Sequence, residues 1–124
     1  MIRQFDTGAN RDTDEGKHDP EGFISPLVIL EFNAYMHENR RLSDGSLRDS
    51  ANWQKGIPRD VYMKSLWRHF LDVWLHHRSY GHLARDPLRK ALCGLLFNVQ
   101  GYLLEQIKHD MDMEQVDKGL GYIK

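Results

Sequence analysis

Three of the four prolines, Pro26, Pro58 and Pro87, stand at the head of segments whose apolar residues recur at helical spacing. Proline has no backbone N–H and a fixed φ. Both are tolerated in the first helical turn, where that N–H would be unpaired anyway, and neither is tolerated deeper in a helix. Each proline therefore marks a start, and the spacing predicts helices over about 26–40, 58–78 and 86–109. Ser25 and Asp86, each just before a proline, are of the type that caps a helix N-terminus. The expected fold class is all-α: a compact bundle of three main helices, with an irregular N-terminal arm and a long loop between the first two.

A chain of 124 residues suits one domain, with a polar arm over 1–22 and a tail over 110–124. Apolar residues at 40% and three Trp suffice for a core. A net charge of −1 supplies no cationic excess for a run of phosphates, so a nucleic-acid partner is not expected. No run of apolar residues reaches the roughly 18 that a membrane span needs, and the N-terminus does not resemble a signal peptide. Cys93 is the single cysteine, which excludes an internal disulfide and a cysteine-based zinc site. These features set the expectation of a soluble protein of a reducing compartment, the cytoplasm.

The arm is crowded with Asp, Arg, Gly and Lys and cannot form a core alone. It is either a solvated extension or an ordered arm folded over a ligand or a neighbouring subunit. The connection from Arg41 to Ile57 is long and lacks periodicity, a combination that tends to carry function. It holds Trp53, which either plugs the core or stacks on a ligand.

In the second helical segment, Met63, Leu66, Trp67, Phe70, Val73 and Trp74 share one face. Ser65, Arg68, His69, Asp72 and His76 share the opposite arc, and that arc is unusual because solvated stripes are commonly Lys and Glu. Arg68 offers a planar fork for a phosphate or carboxylate. His69 and Asp72 can share a divalent metal or act as a base with its orienting group. The structural alternative is an Arg68–Asp72 ion pair with exposed histidines. The third segment is apolar nearly all round, from Leu88 to Leu104, as in a central helix or a subunit interface. Asn98 interrupts it, and a buried amide there must bond to a neighbouring helix or to a ligand edge. Gly16-Lys17 lacks the rest of a phosphate-binding loop.

Several stretches in combination resemble a known family: Asp6-Thr7-Gly8 with Arg11 and Gly16-Lys17, Asn52-Trp53, Gly56-Ile57-Pro58, Leu66-Trp67-Arg68-His69, Ala91 and Phe97-Asn98. The chain is similar, from about residue 6 to about 105, to the phage and bacterial dATP/dGTP diphosphohydrolase N-terminal domain family, which is related to the MazG-type all-α nucleotide pyrophosphohydrolases. The resemblance implies a helical, oligomeric protein that binds a purine nucleotide and, with Mg²⁺ or Mn²⁺, cleaves it to a monophosphate and pyrophosphate. It implies phosphate contacts from Arg11, Lys17, Lys55 and Arg68. It further implies that Trp53 walls a base, that Asn52 or Asn98 reads its edge, and that His69 and Asp72, helped by Glu31, hold metal or activate water.

The wider MazG group holds its metals with E-x-x-E and E-x-x-D. In this sequence no two glutamates are three apart, and the E-x-x-D is Glu114–Asp117 in the expected tail. Two functional expectations follow: a purine deoxynucleoside triphosphate pyrophosphohydrolase, or a sponge that sequesters a nucleotide signal without breaking it. A third is a helical structural protein. The apolar surface of the second and third segments exceeds what three helices cover, which predicts a homo-oligomer.

Overall fold

In the computed structural model, which describes residues 1–118, the element order is β1 (Ile2–Gln4), β2 (Asn10–Asp12), α1 (Pro20–Phe23), α2 (Pro26–Glu38), α3 (Arg59–His77) and α4 (Leu88–Lys118), with single 3₁₀ turns at Asn52–Lys55 and Gly81–Leu83. The protein is mostly helical with three main helices, as the proline-headed segments require. The chain divides into two compact units, the first ending at Leu30 and the second beginning at Glu31.

The first unit contains a small antiparallel hairpin in place of a structureless arm. Ile2 pairs with Asp12 and Gln4 with Asn10. The turn closes through the Gly8 N–H donating to Phe5 O, with Gly8 at φ +90°. Arg3 reinforces it by donating to the Asp12 carbonyl and pairing with Asp14 at 3.1 Å. Asp19 caps α1 by accepting from the Gly22 N–H, and the Ser25 hydroxyl accepts from the Val28 N–H in the first turn of α2.

In the second unit the main packing is α3 on α4. Arg59 bonds to Gln106, Tyr62 packs on Gly101 and His69 on Gly94, so contacts ascending α3 descend α4 and the two helices are antiparallel. Two rings lie on glycine faces of α4, where any Cβ would collide with them. The buried positions of α3 and α4 are Tyr62, Asp72, Ala91, Cys93, Gly94, Asn98 and Gly101. Asp72 of the polar arc is buried and Ser65, His69 and His76 are half-buried, with Arg68 exposed, whereas Trp67, Phe70 and Trp74 on the apolar face are exposed. The local reason is steric: glycines on α4 admit the flat rings of Tyr62 and His69, and Arg85 pairs with the buried Asp72 carboxylate.

α3 ends with Ser79 in the left-handed region at φ +68°, and the Tyr80 N–H donates to Leu75 O across the end. α4 continues past the expected stop near His109 to Lys118, so part of the expected tail is helical. Gly119, Gly121 and Lys124 of that tail lie outside the described residues. α2 meets α4 through long side chains: Glu38 pairs with Lys90 at 2.9 Å and Glu31 with Arg89 at 3.8 Å.

Candidate functional site

The connection after α2 folds back on itself at Asp44-Gly45-Ser46. Gly45 adopts φ +88°, the Asp44 carboxylate accepts from the Ser46 N–H and hydroxyl, and Leu42 N–H donates to Ser46 O. Arg41 bridges to Leu47, the Arg48 N–H donates to Arg40 O, and Arg40 Nε donates to Arg48 O at 2.7 Å. This short hairpin places Arg40 and Arg48 side by side at the wall of a cavity of about 270 Å³.

Four further segments complete the wall. Tyr35 comes from α2 and Asn39 from the turn just after it, Asn52 and Trp53 from the 3₁₀ turn, Ser65 and His69 from α3, and Phe97 and Asn98 from α4. Trp53 meets Phe97 edge-on at 5.8 Å, so it packs on the core and lines the cavity at once. Asn98 is buried, and its Nδ2 donates to Gly94 O at 2.7 Å. That bond fixes the amide orientation and leaves its carbonyl oxygen without a partner among the described residues. The wall thus combines two guanidinium groups, three amides, three aromatic rings, hydroxyls, an imidazole and the carboxylate of Asp49. Such a set suits a small, planar, polar ligand bearing negative charge.

Behind the cavity lies a second arrangement. Asp72 is 2% exposed and accepts from the Arg85 backbone N–H and from Arg85 Nε and Nη2 at 3.2, 3.1 and 2.9 Å. Burial pushes the Asp72 carboxyl up, but the Arg85 hydrogen bonds and charge outweigh it and hold the group below its ordinary value. Ligand atoms of His69, Asp72 and Asp86 all lie within 4.8 Å of one another. His69 Nδ1 is buried with no hydrogen-bond partner among the described residues. Desolvation first, and the Arg85 charge second, lower the His69 pKa below 6.5, so the ring is neutral at pH 7. A neutral imidazole with a free nitrogen can accept a proton or a metal.

Four of the residues singled out by sequence, Asn52, Trp53, His69 and Asn98, come together at the cavity wall. Asp72 joins His69 behind it. Arg68 is exposed on α3 and makes no ion pair among the described residues; Asp72 pairs with Arg85 in its place. Lys55 is exposed at the end of the 3₁₀ turn and is not part of the wall. Glu31 faces Arg89, outside the His69–Asp72–Asp86 group. Arg11 lies on β2 and Lys17 follows the turn at Asp14, both exposed in the first unit.

Sequence reasoning missed Arg40, Arg48, Arg85 and Asp86. The Asp44-Gly45 dipeptide is a hairpin signal that would have paired Arg40 with Arg48. Nothing in the spacing announces that Arg85 reaches back to Asp72.

The comparisons with protein families, curated proteins and solved structures give no match to this chain. Among the described residues, no helix is long and apolar enough to cross a membrane.

Proposed function

We propose that the protein is a purine deoxynucleoside triphosphate pyrophosphohydrolase of the cytoplasm, cleaving dATP or dGTP to the monophosphate and pyrophosphate. One observation carries the reading: His69 belongs both to the cavity wall and to the carboxylate group behind it. Trp53, Asn52 and Asn98 provide an aromatic wall and amide edges for a purine. Arg40 and Arg48 offset the phosphate charge. At about 270 Å³ the cavity holds one part of the substrate, base or phosphate, with the remainder at its mouth.

One imidazole and two carboxylates form a donor set that fits Mn²⁺ better than Mg²⁺, which prefers an all-oxygen shell. His69, Asp72 and Asp86 would hold the ion, which when bound neutralises phosphate charge and lowers the pKa of water. With the one free lone pair of the His69 ring among the donors of the ion, the proton of the attacking water passes to solvent at the cavity mouth. Water oxygen bonds to the α-phosphorus, the α–β P–O bond breaks, and pyrophosphate departs with the electron pair.

A second reading, capture without cleavage, is favoured by the Arg85 guanidinium already seated on Asp72. A cation there competes with a metal, and binding alone needs only the cavity wall.

Incubation with dATP or dGTP and Mn²⁺ or Mg²⁺, followed by measurement of pyrophosphate, separates the two. Pyrophosphate release that is lost in His69→Ala supports hydrolysis. Nucleotide retained tightly and recovered intact after denaturation supports sequestration. Absence of both release and binding refutes both.

A further inference from the structure

Of the three residues whose ligand atoms gather behind the cavity, two owe their spacing to a helix and one does not. His69 and Asp72 stand on neighbouring turns of α3, so the helix alone sets them side by side. Asp86 reaches them from the connection between α3 and α4, residues 78–87. No hydrogen bond or ion pair reaches the Asp86 carboxylate among the described residues. Its place within 4.8 Å of the other two is therefore inherited from its backbone.

That backbone is held by His76. The His76 Nε2 lies 2.7 Å from the Asp86 carbonyl oxygen, across the connection from the last turn of α3. A carbonyl oxygen only accepts, so Nε2 carries the proton and donates. The ring is itself seated: it lies against Gly81, where any Cβ would collide with its Nδ1 and Cε1. Pro87 adds a restraint on the other side, because a residue before proline is kept out of the helical region. The remaining bonds of the connection, from the Tyr80 N–H to Leu75 O and from Arg85 to Asp72, hold its neighbours and not Asp86 itself.

We infer that His76 is a positioning residue: seated on Gly81, it donates to the Asp86 carbonyl and so delivers the Asp86 carboxylate to His69 and Asp72. The inference rests on the reading of those three residues as a metal-binding group. His76 touches neither ion nor nucleotide; it acts through the backbone of a ligand. A flat ring fixed on one face by a glycine loses little freedom in making this bond, which suits it to orienting a neighbour. Its partner Asp86 is the donor most easily lost, since it alone lacks a helix beneath it.

Titration of the full chain with Mn²⁺ at one fixed pH, read from the EPR signal of the free ion, tests this. His76→Ala should weaken Mn²⁺ about 10–100-fold, the usual cost of removing a group that orients a metal ligand, with helical circular dichroism retained. His76→Gln, whose amide nitrogen can donate to the same carbonyl, should restore most of the affinity. His77→Ala, at the exposed neighbour, should leave it unchanged. Gly81→Ala should weaken Mn²⁺ when His76 is present and do nothing further in His76→Ala, because the added methyl acts through the imidazole. Affinity kept in His76→Ala but lost in Asp86→Asn overturns the inference and leaves the metal group standing. Equal losses in His76→Ala and His76→Gln, or a Gly81→Ala loss that persists without the imidazole, overturn it by reducing His76 to general support of the fold. An unmodified chain that does not bind Mn²⁺, or binds it unaffected by Asp86→Asn, removes the metal group and the inference together. Should His76→Ala not fold, His76→Gln and Gly81→Ala decide: affinity kept in the first and lost in the second is expected, and Gly81→Ala without a loss refutes the positioning role.

Discussion

Gly94→Ala tests how His69 is seated. A Cβ built at Gly94 lies 2.5 Å from both Cε1 and Nδ1 of the His69 ring and 2.8 Å from Nε2. Real Cβ contacts do not come that close, so the ring or α4 must move. Overpacking of this kind costs about 1–3 kcal/mol. Replacing a glycine in a helix interior returns about 1 kcal/mol of helix propensity. The balance is a loss of about 1 kcal/mol, or a Tm lower by about 3–6 °C for a chain of this size.

The control is the same substitution in a His69→Ala background. There the collision is gone and only the propensity gain remains, so Gly94→Ala should raise Tm by a similar amount. The pair of measurements forms a double-mutant cycle, read by thermal denaturation at fixed protein concentration. Nucleotide affinity, measured by calorimetry, should fall in Gly94→Ala because the displaced ring enters the cavity. An equal rise in Tm in both backgrounds, with affinity unchanged, would show that His69 does not rest on Gly94 and would refute the packing argument.

Tyr62→Phe removes a buried hydroxyl that has no hydrogen-bond partner among the described residues, so stability should be unchanged or raised by about 1 kcal/mol, read from urea denaturation; a loss above 1 kcal/mol would reveal a hidden partner. Asp72→Ala leaves Arg85 without its carboxylate, and because that guanidinium is half exposed the cost should be about 1–3 kcal/mol, not the larger penalty of a sealed charge. The lowered pKa of His69 means that the folded state binds its proton less readily than the unfolded state. Stability from this group is full above pH 6.5 and declines as pH falls through 6.5 towards the lower folded value. His69→Gln should flatten that decline, and an unchanged pH profile would contradict the sign. Ser79→Gly should stabilise by about 0.5–1 kcal/mol, since Ser79 holds φ +68° at the end of α3; a destabilised variant would mean that the hydroxyl contributes more than the strain costs.

The helices were legible because Pro26, Pro58 and Pro87 each mark a place where a backbone N–H is not needed. Their inward faces were less legible. Periodicity turns Trp67, Phe70 and Trp74 towards the chain's own core, yet the seam is built on Tyr62 and His69 against Gly101 and Gly94, with the buried Asp72 held by Arg85. Periodicity reports that a face is apolar; it does not report which molecule covers it.

At the candidate site, Asn52, Trp53, His69 and Asn98 stood out because polar or aromatic groups in those settings need a reason. Arg40, Arg48 and Arg85 did not, because an arginine near a turn looks the same whether it faces water or a cavity. Their placement depends on backbone closure, through Gly45 for the first two and the Gly81–Leu83 turn for the third. α4 runs past the expected stop near His109 because residues 109–118 contain neither glycine nor proline.

The most direct measurement of the central claim is a crystal structure of the protein grown with dGTP and Mn²⁺. The expected electron density places the purine against Trp53 and Asn98 and the phosphates towards Arg40 and Arg48. Nucleotide bound at any other surface, or an empty cavity at saturating dGTP, contradicts the assignment of this cavity as the nucleotide site.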